Sequence, residues 1–152
     1  MSDYGTIAEA DSYLASNSTW LALTDAQKTT HLTRAEAYLD ALEWKGDLSD
    51  DAQTIAWPRT GVLDKEGRTV DEATVPDDIT SAFFECAVLD QAGTLYANPD
   101  TPLTSKTVTA GSVSVSKDYA GATSTAPAHG NWVHNLIEQY LNLATANTLL
   151  RA

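Results

Sequence analysis

The stretch TDAQKTTHLTRAEAYLDALEWKG, residues 24–46, decides the fold of this chain. Thr24 and Gln27 have the spacing of a capping box, in which two side chains satisfy free amide groups where a helix begins. Apolar residues then recur at intervals of three, four and three between Leu32 and Leu42, which is the period of one helix face. The stretch therefore predicts a long amphipathic helix that Gly46 ends.

Helical signals recur on both sides of this stretch. Thr6 and Glu9 form another capping box ahead of a short helix. Pro76, followed by two aspartates, suits the start of a helix that we expect to run to about Ala97. A last helix is predicted over residues 131–147, and its only acidic residue is Glu138. The fold class is thus mainly α, a small helical bundle of about four helices.

A β-hairpin is predicted between the last two helices, over residues 104–120. This segment alternates with period two and is rich in valine and threonine, while residues 110–112 suit a turn. Because an isolated hairpin is marginally stable in water, Val113, Val115 and Tyr119 must pack on the helical body or on another chain. Residues 121–130 are small and predict a flexible loop.

Length and charge bound the class of protein. The 152 residues correspond to a single domain, 1–152, with a formal net charge of −12. Residues 1–100, the acidic helical body, carry 19 acids and 6 bases, whereas residues 101–152 carry 2 acids and 3 bases. Such a surface repels phosphate, which disfavours a protein that coats duplex DNA. We expect a soluble chain made in a cytoplasm, since neither a signal peptide nor a membrane-spanning run is evident.

The sequence carries no recognisable catalytic motif, so we expect no enzyme, no cofactor and no metal site. The one cysteine, Cys86, lies on an apolar helix face and is expected to be inert. His31, His129 and His134 lack the spacing of metal ligands. The acidic pairs at residues 50–51 and 77–78 are interpreted as helix-start carboxylates.

The four tryptophans allow two interpretations. Stacking on single-stranded nucleic acid needs a groove lined by basic residues. Two tryptophans lie close to a basic residue in the sequence, Trp44 next to Lys45 and Trp57 near Arg59. Tryptophans of a core or an interface are the favoured interpretation, because the basic residues are few and scattered.

The order of these features resembles a phage family. The relevant segments are TIAEADSYL at residues 6–14, RAEAYLD at 34–40 leading into WKG at 44–46, QTIAWPRTGV at 53–62 and VPDDI at 75–79. They resemble proteins labelled putative DnaT-like single-stranded DNA-binding proteins and also the head–tail connector (adaptor) proteins of tailed bacteriophages. The resemblance covers about residues 4–97, and Ala56-Trp57-Pro58-Arg59 is its most specific part.

The connector resemblance implies a structural role in the virion, at the head–tail junction. It implies a homo-oligomeric ring, commonly of twelve copies, that binds the phage portal protein and a downstream tail or neck protein while DNA passes through its channel without sequence-specific binding. The alternative is a single-stranded DNA-binding replication protein of the DnaT-like kind. No catalytic residues and no membrane partner are implied.

The residues suggest two contact surfaces for such an assembly. The last helix has little charge, and it either docks in a portal groove or folds back on its own body. The subunit interface is expected at Val108, Val113, Val115, Tyr119, Trp57 and Arg59, and portal docking at Trp132, Leu136, Tyr140 and Leu143.

Overall fold

A computed structural model describes residues 4–96, 105–110, 113–118 and 128–142, the hairpin strands and residues 128–131 by their backbone alone. The fold is mainly α, as predicted, with a bundle of helices and a small antiparallel hairpin before the last helix. The helices are α1 (Ile7–Tyr13), α2 (Ser18–Leu21), α3 (Asp25–Asp40), α4 (Asp77–Gln91) and α5 (Ala128–Ile137). The strands are β1 (Asp47–Leu48), β2 (Arg59–Thr60), β3 (Ser105–Ala110) and β4 (Val113–Asp118), and a 3₁₀ turn covers Glu138–Tyr140.

Both predicted capping boxes are confirmed. The Thr6 side chain accepts from the Glu9 amide, and the Glu9 carboxylate accepts from the Thr6 amide at 2.7 Å. Thr24 and Gln27 make the same reciprocal pair at the start of α3. These side chains satisfy amide groups that have no partner within the helix, which fixes where α1 and α3 begin.

The core lies between α3 and α4, with α5 packed on another side of α4. Helix α4 is central to this core, since eight of its residues are buried. The largest fully buried side chains of the described residues come from every part of the body: Trp20, Trp57, Tyr4, Phe83, Leu39 and Ile79. Burial of large aromatic and aliphatic groups supplies most of the free energy that holds such a domain together.

A partly buried ion pair ties α1 to α3. The Lys28 ammonium lies 2.8 Å from the Asp11 carboxylate, and the side chain of Lys28 is only 6 % exposed against 35 % for Asp11. The Trp20 indole N–H also donates to Asp11, at 2.8 Å. This hydrogen bonding lowers the pKa of the Asp11 carboxyl, first through Lys28 and then through Trp20 against the opposing effect of desolvation.

The bounds of several elements differ from the sequence-based expectation. The long helix α3 ends at Asp40 rather than near Gly46, and at this end the Leu39 carbonyl accepts from the Leu42 amide at 3.1 Å and from the Trp44 indole N–H at 2.8 Å. Helix α4 ends at Gln91, not at about Ala97. The last helix begins at 128 and ends at 137, so the prediction of 131–147 is displaced, and its residues 143–147 lie outside the described part. The predicted loop is described only from 128, where it is already helical.

The connection between α3 and α4 contains a small sheet that the sequence did not predict. In β1 and β2, Asp47 pairs with Thr60 and Leu48 with Arg59. The Val70 amide donates to the Val62 carbonyl at 2.9 Å, which extends the pairing of this connection by one bond. Residues after Val70 bend because the Asp71 carboxylate accepts from the Ala73 amide and the Thr74 hydroxyl.

Candidate functional site

The segment from Val133 to Leu141 is docked on the body of its own chain. Val133, Ile137, Tyr140 and Leu141 are all buried, and Leu141 forms an isolated antiparallel bridge with Trp44. Two backbone hydrogen bonds secure the end of the segment, from the Lys45 amide to the Tyr140 carbonyl at 2.9 Å and from the Asn142 amide to the Glu43 carbonyl at 2.8 Å. The sequence left open whether the last helix docks in a portal groove or folds back on its own body. The described part of this helix folds back on its own body.

An aromatic cluster lies beneath this docked segment. Trp57 is fully buried, with its ring 5.6 Å from Trp44 and 5.5 Å from Tyr140, both in edge-to-face geometry. Such pairs stabilise a core beyond the area that they bury. The predicted contacts of Trp57 with a neighbouring subunit and of Tyr140 with a portal are therefore replaced, in this conformation, by contacts within the chain.

Arg59, the other body residue assigned to a subunit interface, holds the connection together. Its guanidinium donates to three backbone carbonyls, those of Lys45 at 2.8 Å, Gly46 at 2.6 Å and Ala56 at 3.1 Å. Gly46 has φ of 71°, and a Cβ built on it would lie 2.1 Å from the Thr60 carbonyl oxygen. The specific Trp-Pro-Arg sequence thus closes a tight connection in which only glycine fits.

A groove runs beside the exposed side of α5, and we take it as the candidate functional site. Its volume is about 530 Å³. Trp132, which is 51 % exposed, forms part of its wall next to the half-buried Leu136. The remaining lining residues are polar: Lys45, Lys65, Asp64, Asp78, Asn135, Glu138 and Gln139. The groove therefore joins charges of both signs to an exposed tryptophan, a residue type that is enriched at protein interfaces.

Gln139 organises this groove, and no motif in the sequence pointed to this residue. Its side-chain amide donates to Asp78 at 2.9 Å and accepts from the Lys65 amide at 3.0 Å, while its own carbonyl accepts from the Lys45 ammonium at 2.7 Å. The Tyr140 hydroxyl also donates to Asp78, at 3.3 Å. Desolvation, followed by the nearby Asp78 charge, raises the pKa of Tyr140 to about 12, so this hydroxyl stays a donor at neutral pH.

The charges of the groove do not form an anion site. Two lysines line it against three carboxylates, those of Asp64, Asp78 and Glu138. Elsewhere in the described body Lys28 pairs with Asp11, Arg34 with Asp90, and Arg68 with Asp64 and Glu66, while Arg59 donates to backbone carbonyls. A phosphate backbone would need cations that are not already neutralised.

The tryptophans are divided unevenly between core and surface. Trp20 and Trp57 are fully buried, and Trp44 is 7 % exposed. Core packing is thus the correct interpretation for these three. Trp132 alone of the four presents a large part of its ring to solvent, so it is the one tryptophan available for stacking or docking.

The groups weighed for catalysis make structural contacts. Cys86 is buried, and desolvation raises the pKa of its thiol to about 12. His31 Nδ1 lies 2.7 Å from the Asp90 carboxylate, and His134 lies 3.7 Å from Glu138. Asp50 accepts from the Ala52 amide at 2.8 Å at a turn. Within the described ranges, no three His, Cys, Asp or Glu residues are grouped to hold a metal ion, and no helix has the length and apolarity to cross a membrane.

The remaining predicted contact residues fall outside what the structure describes in atomic detail. Tyr119 and Leu143 lie outside the described residues. Val108, Val113 and Val115 are placed by their backbone in β3 and β4, where Val108 pairs with Val115. His129 is likewise placed only by its backbone, in α5.

One comparison with known proteins gives a match. The family model described as "Putative DnaT-like ssDNA binding protein" matches residues 2–152. No curated protein and no solved structure matches the chain.

Proposed function

The chain belongs to the family of putative DnaT-like ssDNA-binding proteins, and we propose that within it this member is an assembly protein, the head–tail adaptor of a tailed bacteriophage. In this role it forms a ring below the portal, extends the DNA channel and docks the tail. It acts at the head–tail junction of the virion, is made in the host cytoplasm, and is not an enzyme.

The observation that carries the proposal is the pairing of its cations. The chain has 9 basic residues against 21 acidic ones, and the described arginines and Lys28 are engaged by carboxylates or backbone carbonyls. A channel lined by a surface with this excess of acidic residues repels a nucleic acid backbone. DNA would pass it without adhering, which suits a channel and does not suit a protein that grips DNA.

Trp132 and Leu136 provide the docking surface of the proposal. The far end of the last helix is anchored on the body, so this rigid segment presents an exposed indole at the edge of a groove. Partly exposed tryptophans next to a pocket are frequent hot spots of protein interfaces. Trp132 is thus the side chain that inserts into the portal. The buried Tyr140 packs on Trp57 and so fixes the segment that carries Trp132 to the body.

Native mass spectrometry of the chain with the portal of the same phage tests this proposal. We expect rings bound to portal, and we expect Trp132→Ala to weaken binding by about 30-fold or more, as for the loss of a hot spot. The matched control is Tyr96→Ala, because Tyr96 is 61 % exposed and does not line the groove. A chain that never associates with portal or tail proteins would refute the adaptor role.

Single-stranded DNA binding is the second candidate, and the family description favours it. The groove offers it one location, where Trp132 lies with Lys45 and Lys65 in the same wall. Stacking of a base on the indole with lysines near the backbone is the usual mode of such binding.

A fluorescence anisotropy titration with a labelled oligonucleotide at about 0.1 M salt separates the two candidates. Micromolar or tighter binding that is lost in both Trp132→Ala and the double variant Lys45→Glu, Lys65→Glu would establish DNA binding in the groove. Trp44→Ala is unsuitable for this test, because Trp44 is buried and its loss would perturb the core. If the oligonucleotide does not bind at protein concentrations up to about 100 µM, DNA binding is excluded and the adaptor role stands as the proposal.

A further inference from the structure

The register of the hairpin divides its residues into two unlike faces. Paired residues of an antiparallel ribbon share a face, and successive pairs alternate between faces. One face therefore holds three hydroxyl-rich pairs, Ser105–Asp118, Thr107–Ser116 and Thr109–Ser114. The other holds the pairs Lys106–Lys117, Val108–Val115 and Ala110–Val113. We call the second set the valine face.

The valine face needs a partner for two reasons. A two-stranded ribbon is marginally stable alone, and among the described elements each of β3 and β4 packs mainly with the other. In addition, Lys106 lies directly opposite Lys117, and like charges in that position destabilise a ribbon. Carboxylates placed against this pair would turn the repulsion into attraction, so the expected partner is an acidic surface with an apolar floor.

The body of the chain has such a surface on the side of Pro58. A groove of about 710 Å³ lies there, and Ile55, Pro58 and Val75 give it apolar lining. Glu9 and Asp77, both exposed, supply carboxylates, and among the described residues no lysine, arginine or histidine lines it. Hydrogen bonds from Thr6 lower the pKa of Glu9, so its carboxylate is ionised at neutral pH.

We propose that the valine face of one copy docks in this acidic groove of a second copy, with Lys106 and Lys117 near Glu9 and Asp77. The inference rests on the proposed adaptor function, and it names the contact between neighbouring subunits. Because ribbon and groove are different surfaces of the same chain, the contact is head-to-tail, and it closes into a ring when the rotation between copies allows. The C-terminal part of one copy, in which bases outnumber acids by 3 to 2, thereby covers the acidic body of the next.

Disulfide trapping between two differently tagged chains tests the contact. In a Cys86→Ala background, one chain carries Val108→Cys and the other Thr74→Cys, since Thr74 is exposed at the groove. A disulfide forms only when the two Cβ atoms approach within about 4.5 Å. We expect a trapped heterodimer, and we expect Thr109→Cys, the neighbouring position on the other face, to give none.

Charge reversal gives an independent readout of the same contact. The double variant Lys106→Glu, Lys117→Glu should raise the concentration needed for trapping by about tenfold, and Asp77→Lys on the partner that carries Thr74→Cys should restore part of the trapping. Thr107→Glu with Ser116→Glu is the control on the hydroxyl-rich face, and it should have little effect.

The outcomes separate this contact from the adaptor role. A disulfide that forms only within a single doubly substituted chain, or equal trapping from Val108→Cys and Thr109→Cys, overturns the contact. Rings that assemble on the portal without any Val108–Thr74 trapping overturn it too, and leave the adaptor function standing. A chain that stays monomeric with and without portal removes the adaptor function itself.

Discussion

Neutralising Asp11 should destabilise the fold more than removing the charge of its partner, Lys28. The Lys28 side chain is 6 % exposed, whereas that of Asp11 is 35 % exposed. Asp11→Asn keeps an acceptor for the Trp20 indole but leaves a buried ammonium without a counter-ion. Lys28→Met keeps the apolar stem beside Trp20 and leaves a carboxylate that reaches water. The cost of breaking the pair is therefore asymmetric.

The magnitudes follow from these exposures. Loss of one partner of a fully buried pair costs about 3–5 kcal/mol. Because one third of Asp11 is in contact with solvent, we expect about 2 kcal/mol for Asp11→Asn and less than about 1 kcal/mol for Lys28→Met. For a chain of this size the first value lowers Tm by about 4–8 °C.

Urea unfolding followed by tryptophan fluorescence measures the free energy of unfolding of both variants. Repeating the measurement at several pH values checks the direction in which this free energy changes with pH. The pKa of Asp11 is lower in the folded than in the unfolded chain, so its contribution is complete above the unfolded pKa of about 3.9 and is lost as pH falls through the folded pKa. The stability gap between wild type and Asp11→Asn should accordingly close in acid. An equal or larger cost for Lys28→Met at pH 7, or a gap that persists at low pH, would refute this reasoning.

Three further outcomes are expected. Gly46→Ala should destabilise the fold by more than about 2 kcal/mol in thermal or urea unfolding, because it combines a positive φ with a steric clash, whereas Gly61→Ala has the same φ and open space and should cost about 1 kcal/mol. Ile137→Ala should cost about 2–5 kcal/mol in the same assay and Trp132→Ala less than about 1 kcal/mol, since the first is buried and the second half-exposed. Cys86 should react with a thiol reagent only as the chain unfolds, and rapid labelling of the native chain would contradict its burial.

The sequence predicted only part of the candidate site. The position of Trp132 on the last helix follows from the spacing of apolar residues near the C-terminus, but its exposure does not. The roles of Lys45, Lys65 and Gln139 do not, because they lie far apart in sequence and only the docking of the last segment brings them to one groove. Trp57 and Arg59 were assigned to a subunit interface from the sequence, whereas in the structure both make contacts within the chain.

The sequence by itself determined the local features whose energetics are local. The capping boxes and the period-two pattern of the hairpin depend on residues close to each other in the chain, and both were found where predicted. Tertiary structure decided where α3 and α4 end, which tryptophan is exposed and how the last helix folds back. Those outcomes depend on contacts that local helix propensity does not determine. Examples are the hydrogen bond from the Trp44 indole to the Leu39 carbonyl and the antiparallel bridge between Trp44 and Leu141.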